Sequence, residues 1–326
     1  MESGGIVLTV IKTVIAFSAI LGNGVVIVVM TIRRKQFSSL TNQLIRHQSI
    51  IDLVSGVVFF LFEVVVLRLT PMGMKNDQTF LWEVLCRFVL YGNFLFGLTV
   101  SSTYNLVIIS LERFMATCYP VKHRNSFTYF RINVAMGVAW VIGLMYSVPA
   151  ALAKYINGEG ECAVYSHLTN MIFVLGIMLE YLIPVTLMTF AYIRIFIVLR
   201  RKLAGEQQRE DGIIGKAKRN VQETMLIAGI VFIICWTPLQ IFRFLVSTDI
   251  LHTKYYSSDA LKVVTAIVMC NMSVNPIIYC FKYEHFRKQL LQLLRSRFRR
   301  NRVQTGVETN AMSMSIDPIQ QTTQAD

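Results

Sequence analysis

Seven long apolar stretches constrain this sequence more than any other feature. They cover roughly residues 6–32, 42–67, 83–117, 131–152, 168–200, 217–247 and 256–281. A helix needs about 20 mostly apolar residues to cross the hydrocarbon core of a bilayer, and each stretch reaches that length. The chain is 54% hydrophobic and only 16% charged, which is too apolar for a soluble protein of 326 residues. The sequence therefore predicts an all-α membrane protein, a bundle of seven transmembrane helices with some helices tilted or extended beyond the membrane.

The positive charges are concentrated in alternate connections. The net charge is +13, and Lys and Arg crowd the segments after the first, third, fifth and seventh stretches. Lys and Arg accumulate on the cytoplasmic side of membrane proteins. We therefore expect an extracellular N-terminus and a cytoplasmic C-terminus in the plasma membrane. A basic inner face fits anionic membrane lipids and an acidic protein partner, and nucleic acid is not an expected partner.

The segments outside the spans have distinct compositions. Residues 1–5 are predicted to be a short extracellular N-terminus, followed by the seven-transmembrane domain at 6–281. Residues 282–300 repeat apolar side chains at helical spacing among Lys and Arg, which predicts an amphipathic cytoplasmic helix on the inner leaflet. Residues 301–326 are rich in Ser, Thr, Gln and Asn and are predicted to be a disordered tail. Phosphorylation of this tail would recruit arrestin; the alternative is a tail that is merely solvated.

The six cysteines divide by location. Cys86 opens the third span and Cys162 lies in the connection before the fifth, so both face the oxidising exterior and are able to form a disulfide. The alternative is two unrelated thiols. The other four lie within spans or at their inner ends and have no metal-ligand spacing, which favours packing roles.

Every span carries a short polar or proline-containing motif. The motifs are Gly22-Asn23, Asp52, Glu112-Arg113-Phe114, Trp140 with Pro149, Pro184 with Tyr192, Phe232 with Cys235-Trp236-Thr237-Pro238, and Asn275-Pro276-Ile277-Ile278-Tyr279. In this order and spacing the chain resembles the rhodopsin-like (class A) G-protein-coupled receptors over about residues 6–300. It looks most like the neuropeptide group around the galanin, allatostatin and somatostatin receptors. The resemblance implies a receptor, not an enzyme, that activates heterotrimeric G proteins.

Asp52 lies in the middle of a span without an adjacent Lys or Arg. A lone carboxylate there must be protonated or paired with a cation, because an isolated buried charge is very costly. The resemblance places Asn23, Ser102, Asn271 and Asn275 around it and implies a sodium ion. The alternative is a hydrogen-bonded network that contains water.

The resemblance also assigns residues to activation and coupling. Pro238 is expected to kink the sixth span because it lacks a backbone N–H, with Trp236 at the pocket floor and Phe232 one turn deeper. Tyr192 and Tyr279 fill the space that opens when this span swings outward. Arg113, paired with Glu112, then contacts the G protein. The acidic latch that many relatives carry at the base of the sixth span is missing, since residues 216–219 are basic.

The outer halves of the spans decide which ligands fit. Retinal is not expected, because Met269 stands where light receptors carry their lysine. Amine receptors of this family carry an aspartate in the upper half of the third span. No acidic residue occurs between Cys86 and Leu111 here, so an amine is also not expected. The charged and polar side chains that the resemblance places on the pocket wall are Glu63, Glu180, Gln240, Arg243 and Lys262. Mixed charges across a wide mouth favour a peptide. The alternatives are a small organic molecule or a lipid and, less favoured, a seven-helix transporter.

The third span has an unusual length. Cys86 and Arg113 are 27 positions apart, about two more than is usual in the family, and a bulge or an early turn would absorb the excess.

Overall fold

The described part of the chain contains seven long helices. The computed structural model describes residues 3–62, 80–89, 92–158, 160, 162–165, 174–204, 213–248, 250–251 and 259–296. The helices are α1 (Ser3–Ile32), α2 (Leu40–Phe60), α3 (Asn93–Cys118), α4 (Tyr129–Leu152), α5 (Ile183–Ala204), α6 (Ile213–Ser247) and α7 (Asp259–Lys282). Two helix starts are capped, because Ser39 accepts the backbone N–H of Asn42 and Thr128 that of Arg131.

The helices form a bundle in which α3 is central. It packs against α2, α4 and α5, while α7 packs against both α1 and α6. Trp236, Tyr279 and Phe232 are fully buried inside the bundle. One face of α1 exposes Val7, Val14 and other apolar residues, as expected of a face that meets lipid.

Six helices within the described ranges are long and apolar enough to cross a membrane. The exception is α2, which carries Arg46, Gln48 and Asp52 and packs between α1 and α3. Its polarity arises from a buried polar face, described below.

The ends of the bundle that the charge pattern predicts to face outside and inside the cell are called its outer and inner ends. The outer end of α3 is irregular. A short helix, Phe80–Val84, continues as a π-helical turn, Leu85–Val89, and α3 itself begins at Asn93 after Gly92. Gly92 has φ 68° and ψ 15°, a left-handed conformation that a residue without Cβ adopts easily. The wider π turn and the break at Gly92 account for the extra residues between Cys86 and Arg113.

Two glycines bring α3 and α4 into close contact. A Cβ on Gly97 would lie 2.7 Å from the Gly143 carbonyl oxygen, and a Cβ on Gly143 would lie 2.9 Å from the Ser101 backbone nitrogen. Only glycine fits both positions at this separation.

A small hairpin lies at the outer end of the bundle. Strands β1 (Lys154–Ile156) and β2 (Cys162–Val164) pair antiparallel, with Ile156 opposite Cys162. The predicted disulfide between Cys86 and Cys162 is confirmed, with the Cα atoms 5.6 Å apart. The Trp82 indole also donates to the Gly160 carbonyl at 3.1 Å. The hairpin is thus fixed to the start of the third span.

The chain turns at Tyr283 after α7, and residues 284–296 are helical. Phe286 is fully buried there and its ring centroid lies 6.3 Å from that of Phe37. Placement of this segment on the inner leaflet stays a prediction, and the predicted tail at 301–326 lies outside the described residues.

Candidate functional site

Asp52 is the centre of a buried hydrogen-bond network between α2, α3 and α7. Ser102 donates to one carboxylate oxygen at 2.7 Å and Asn275 donates to the other at 2.9 Å. Gln48, one turn earlier on α2, places its amide nitrogen 3.2 Å from both oxygens and also donates to Ser102. Asp52 and Gln48 are both fully buried. The structure therefore gathers three of the predicted residues and adds Gln48.

The network continues from Gln48 to α4. The Asn105 amide donates to the Gln48 side-chain oxygen at 2.8 Å, and the Asn105 oxygen lies 2.8 Å from Nδ1 of His47. The Trp140 indole N–H donates to Nε2 of His47 at 2.9 Å. Four side chains, those of Trp140, His47, Asn105 and Gln48, therefore connect α4 with the carboxylate of Asp52.

Two further residues are predicted to lie around Asp52, namely Asn271 and Asn23. The side-chain oxygen of Asn271 is buried and has no hydrogen-bond partner among the described residues. Asn23 donates instead to the backbone carbonyls of Ala19 and Met272, which ties α1 to α7.

The polar groups around Asp52 do not fit a resident sodium ion in this arrangement. An amide N–H points between the two oxygens of the carboxylate, where a cation would bind to both. The sodium ion stays a prediction from the resemblance, and this geometry does not favour it.

Three of the predicted switch residues, Phe232, Trp236 and Tyr279, lie in the buried core of the bundle. Phe232 and Trp236 are in ring contact, with centroids 5.7 Å apart. Pro238 lies inside α6. The Trp236 indole nitrogen and the Tyr279 hydroxyl are buried without a hydrogen-bond partner in the described part of the chain. An unsatisfied buried polar group is costly, so a rearrangement that supplied a partner to either group would be favoured by that amount.

Tyr192 joins three helices. Its hydroxyl donates to the Met225 carbonyl of α6 at 2.8 Å and accepts from Ser110 of α3 at 3.0 Å. Gly229 leaves room for the ring, because a Cβ there would lie 3.0 Å from Cε2 of Tyr192. Tyr192 thus holds α5 and α6 against α3.

Glu112 anchors the inner end of α3. Its carboxylate accepts two hydrogen bonds from the Arg113 guanidinium, at 2.6 and 2.5 Å. It also accepts from Thr41 of α2 at 3.1 Å and contacts Nε2 of His123 at 2.9 Å. Because Glu112 is fully buried, these partners keep its charge compensated and hold Arg113 in place.

A cavity of about 990 Å³ opens around Arg113 at the inner end of the bundle. Residues of α2, α3, α6 and the 284–296 helix line it, including Thr117, Gln222 and Lys288. Three cationic residues, Arg113, Arg124 and Lys288, and one acidic residue, Glu284, line the cavity. The lining is therefore basic on balance and suits an acidic or carboxylate-bearing partner.

The inner end of α6 is held by neutral hydrogen bonds. Gln222 donates to Thr117 of α3. The Asn220 amide donates to the Lys282 carbonyl at 2.7 Å, and its oxygen accepts the backbone N–H of Glu284 at 2.9 Å. The prediction that an acidic latch is missing rests on residues 216–219. The side chains of 216–218 lie outside the described part of the structure. These neutral contacts were not predicted from the sequence.

The outer half of the bundle contains an ion pair between α6 and the π-helical start of α5, Ile177–Leu182. Arg243 and Gln240 both donate to Oε2 of Glu180, which is fully buried. The Arg243 guanidinium also lies over the Phe96 ring of α3, 5.2 Å from its centroid. Three predicted pocket residues therefore meet. Lys262 lies apart in an exposed pair with Asp259 at 2.8 Å, and Glu63 lies outside the described residues.

A bundle of apolar helices around a buried polar network defines a polytopic membrane protein. The model of the family described as "7 transmembrane receptor (rhodopsin family)" matches residues 22–279. The chain belongs to this family, the class A G-protein-coupled receptors, whose fold is a bundle of seven transmembrane helices.

Similar proteins include receptors for different ligands. The allatostatin-A receptor of Bombyx mori is 26% identical over 286 residues, covering 84% of this chain and 75% of that receptor. Neuropeptide Y receptor type 6 of Mus musculus is 26% identical over 314 residues, covering 89% and 80%. Trace amine-associated receptor 1 of Homo sapiens is 26% identical over 316 residues, covering 87% and 86%.

Proposed function

We propose that this receptor binds an extracellular peptide, and that binding opens the inner cavity around Arg113 to a heterotrimeric G protein. Two of the similar receptors are named for neuropeptides. A peptide offers amide groups and charged side chains, which complement a wall of paired charges.

The state of the outer carboxylates separates peptide from amine. The structure describes three acidic side chains toward the outer end, and each has a cationic partner: Glu83 with Arg87, Glu180 with Arg243, and Asp259 with Lys262. An amine ligand needs a carboxylate that is not already neutralised, as a buried ammonium without a counter-ion is costly. This pairing is the observation that favours a peptide, even though a trace amine receptor is among the relatives.

The binding test is a panel of neuropeptides, trace amines and lipids applied to cells that express the chain, read by calcium and cyclic AMP. We expect a peptide to give a response. Arg243→Gln should weaken it at least tenfold, because Glu180 loses its cationic partner. Arg87→Gln, which breaks an ion pair outside the predicted pocket, serves as the control. A response to amines or lipids with none to peptides would contradict the proposal.

We propose further that the receptor resides in the plasma membrane with its N-terminus outside. The positive charges of the connections support this orientation. Epitope tags at the two ends test it: only the N-terminal tag should bind antibody on intact cells. Detection of both tags, or of the C-terminal tag alone, would contradict it.

Basic residues of the inner face are proposed to contact anionic lipid, and phosphorylation of the Ser and Thr residues in the tail is proposed to recruit arrestin. Replacing those Ser and Thr residues by Ala should abolish arrestin recruitment after stimulation while leaving G-protein activation intact.

A further inference from the structure

We propose that the side-chain amide of Gln48 occupies the position at Asp52 that a small cation would need. This receptor then holds its mid-membrane carboxylate with a built-in hydrogen-bond donor, and its stability does not respond to sodium. The buried network around Asp52 acts in this way whatever ligand the receptor binds.

The side-chain amide nitrogen of Gln48 lies between the two carboxylate oxygens of Asp52. It lies 3.2 Å from each oxygen of Asp52, so it faces the fork of the carboxylate symmetrically. The same nitrogen donates to Ser102. An amide carries two hydrogens, so one goes to Ser102 and the other is shared by the two carboxylate oxygens. The outer side of each oxygen is taken by Ser102 and by Asn275.

Neighbouring groups fix the direction of this amide. An indole N–H only donates, so Nε2 of His47 must accept from Trp140. A neutral imidazole then carries its hydrogen on Nδ1, which donates to the oxygen of Asn105. The Asn105 amide donates to the oxygen of Gln48. The nitrogen of Gln48 is left to face Asp52.

This directed chain makes the amide difficult to displace. If Gln48 turned to present its side-chain oxygen to a cation, its amide nitrogen would face the amide nitrogen of Asn105. Two hydrogen-bond donors would then oppose each other. Each link is buried or half-buried, and an unsatisfied polar group is costly in such a place. A cation at Asp52 would therefore disrupt contacts from α2 to α4.

The sequence contains the signal for this arrangement. Gln48 precedes Asp52 by four positions, which places both on the same face of α2. Its partner Asn105 lies on α3, and three polar side chains at this depth are expected to satisfy one another.

The test uses the purified full-length receptor in lipid nanodiscs and needs no ligand. Thermal unfolding midpoints are compared in sodium, potassium and choline chloride at equal ionic strength. The wild-type receptor should have the same midpoint in all three salts. Gln48→Leu should gain a sodium-specific increase of about 3–5 °C when sodium exceeds its dissociation constant about tenfold, and adding Asp52→Asn should remove it.

Two controls keep the result interpretable. Gln43→Leu makes the same change on α2 outside the network, since Gln43 contacts Asn133 of α4, and should show no sodium response. Asn105→Leu removes the donor that directs Gln48 and should give a partial response, which provides a second route if Gln48→Leu does not fold.

Two results would overturn the proposal. One is a sodium-specific increase in the wild-type midpoint that Asp52→Asn abolishes. The other is a folded Gln48→Leu receptor whose midpoint is the same in sodium and potassium, because some group other than Gln48 would then exclude the ion.

Discussion

The contacts of Asn220 at the inner end of α6 predict how strongly this helix is held in its present position. The side chain makes two hydrogen bonds, at 2.7 Å to the Lys282 carbonyl and at 2.9 Å from the Glu284 backbone. A neutral hydrogen bond contributes about 0.5–1.5 kcal/mol net, and partial exposure of Asn220 favours the lower half of that range, so the pair contributes about 1–2 kcal/mol. Both bonds break if the inner end of α6 moves outward.

Asn220→Ala should therefore raise basal nucleotide exchange about five- to thirtyfold, since each 1.4 kcal/mol changes an equilibrium tenfold. Asn220→Asp keeps the acceptor for Glu284 but cannot donate to Lys282, and should fall between alanine and wild type. Arg219→Ala is the matched control, because Arg219 is 66% exposed and pairs with Glu223 on its own helix.

The assay is binding of a slowly hydrolysed GTP analogue to purified G proteins, with equal amounts of each receptor variant in nanodiscs. Basal exchange by Asn220→Ala that equals or falls below the wild-type rate, with Arg219→Ala unchanged, would show that Asn220 does not restrain α6.

Three further predictions follow from other parts of the molecule. Gly143→Ala should destabilise the receptor by about 1–3 kcal/mol through overpacking against α3, whereas Gly137→Ala on the same helix, with nothing within 4 Å of the new Cβ, should leave the thermal midpoint unchanged or higher; equal losses would refute the close contact. Arg113→Ala should abolish agonist-stimulated exchange while surface expression is retained, and unchanged exchange would refute its coupling role. Burial lowers the pKa of Lys154 in β1 to about 8. Between that pH and the ordinary lysine pKa, the unfolded chain binds a proton that the folded chain has released, so stability rises with pH. Lys154→Met should remove this rise in thermal midpoint, and a wild-type midpoint that falls over the same pH range would contradict the prediction.

The architecture was predictable because a bilayer leaves few solutions. Backbone polar groups in lipid must be satisfied within each segment, so long apolar stretches become helices. The disulfide followed from topology, since Cys86 and Cys162 are on the same side. Contact of Asp52 with Ser102 and Asn275 followed from the resemblance and from the cost of leaving a carboxylate unpaired.

Other details could not be predicted from the sequence, because they depend on the register between helices or on contacts between distant residues. The third span was predicted as one stretch at 83–117, yet the left-handed conformation of Gly92 separates it from the turns that precede α3. The direction of the Gln48 amide depends on residues of α3 and α4. Asn220 reaches a carbonyl 62 positions away, and no local pattern specifies such a contact.

Catalysis of nucleotide exchange through the inner cavity is the central activity proposed for this receptor. The direct measurement is GTP-analogue binding by a panel of purified heterotrimeric G proteins, mixed with nanodiscs that carry the wild-type receptor, Arg113→Ala or no receptor, with and without the activating peptide. We predict faster exchange on at least one G protein with the wild-type receptor, further increased by peptide, and none of this increase with Arg113→Ala. Equal exchange rates for all three preparations across the panel would contradict the account.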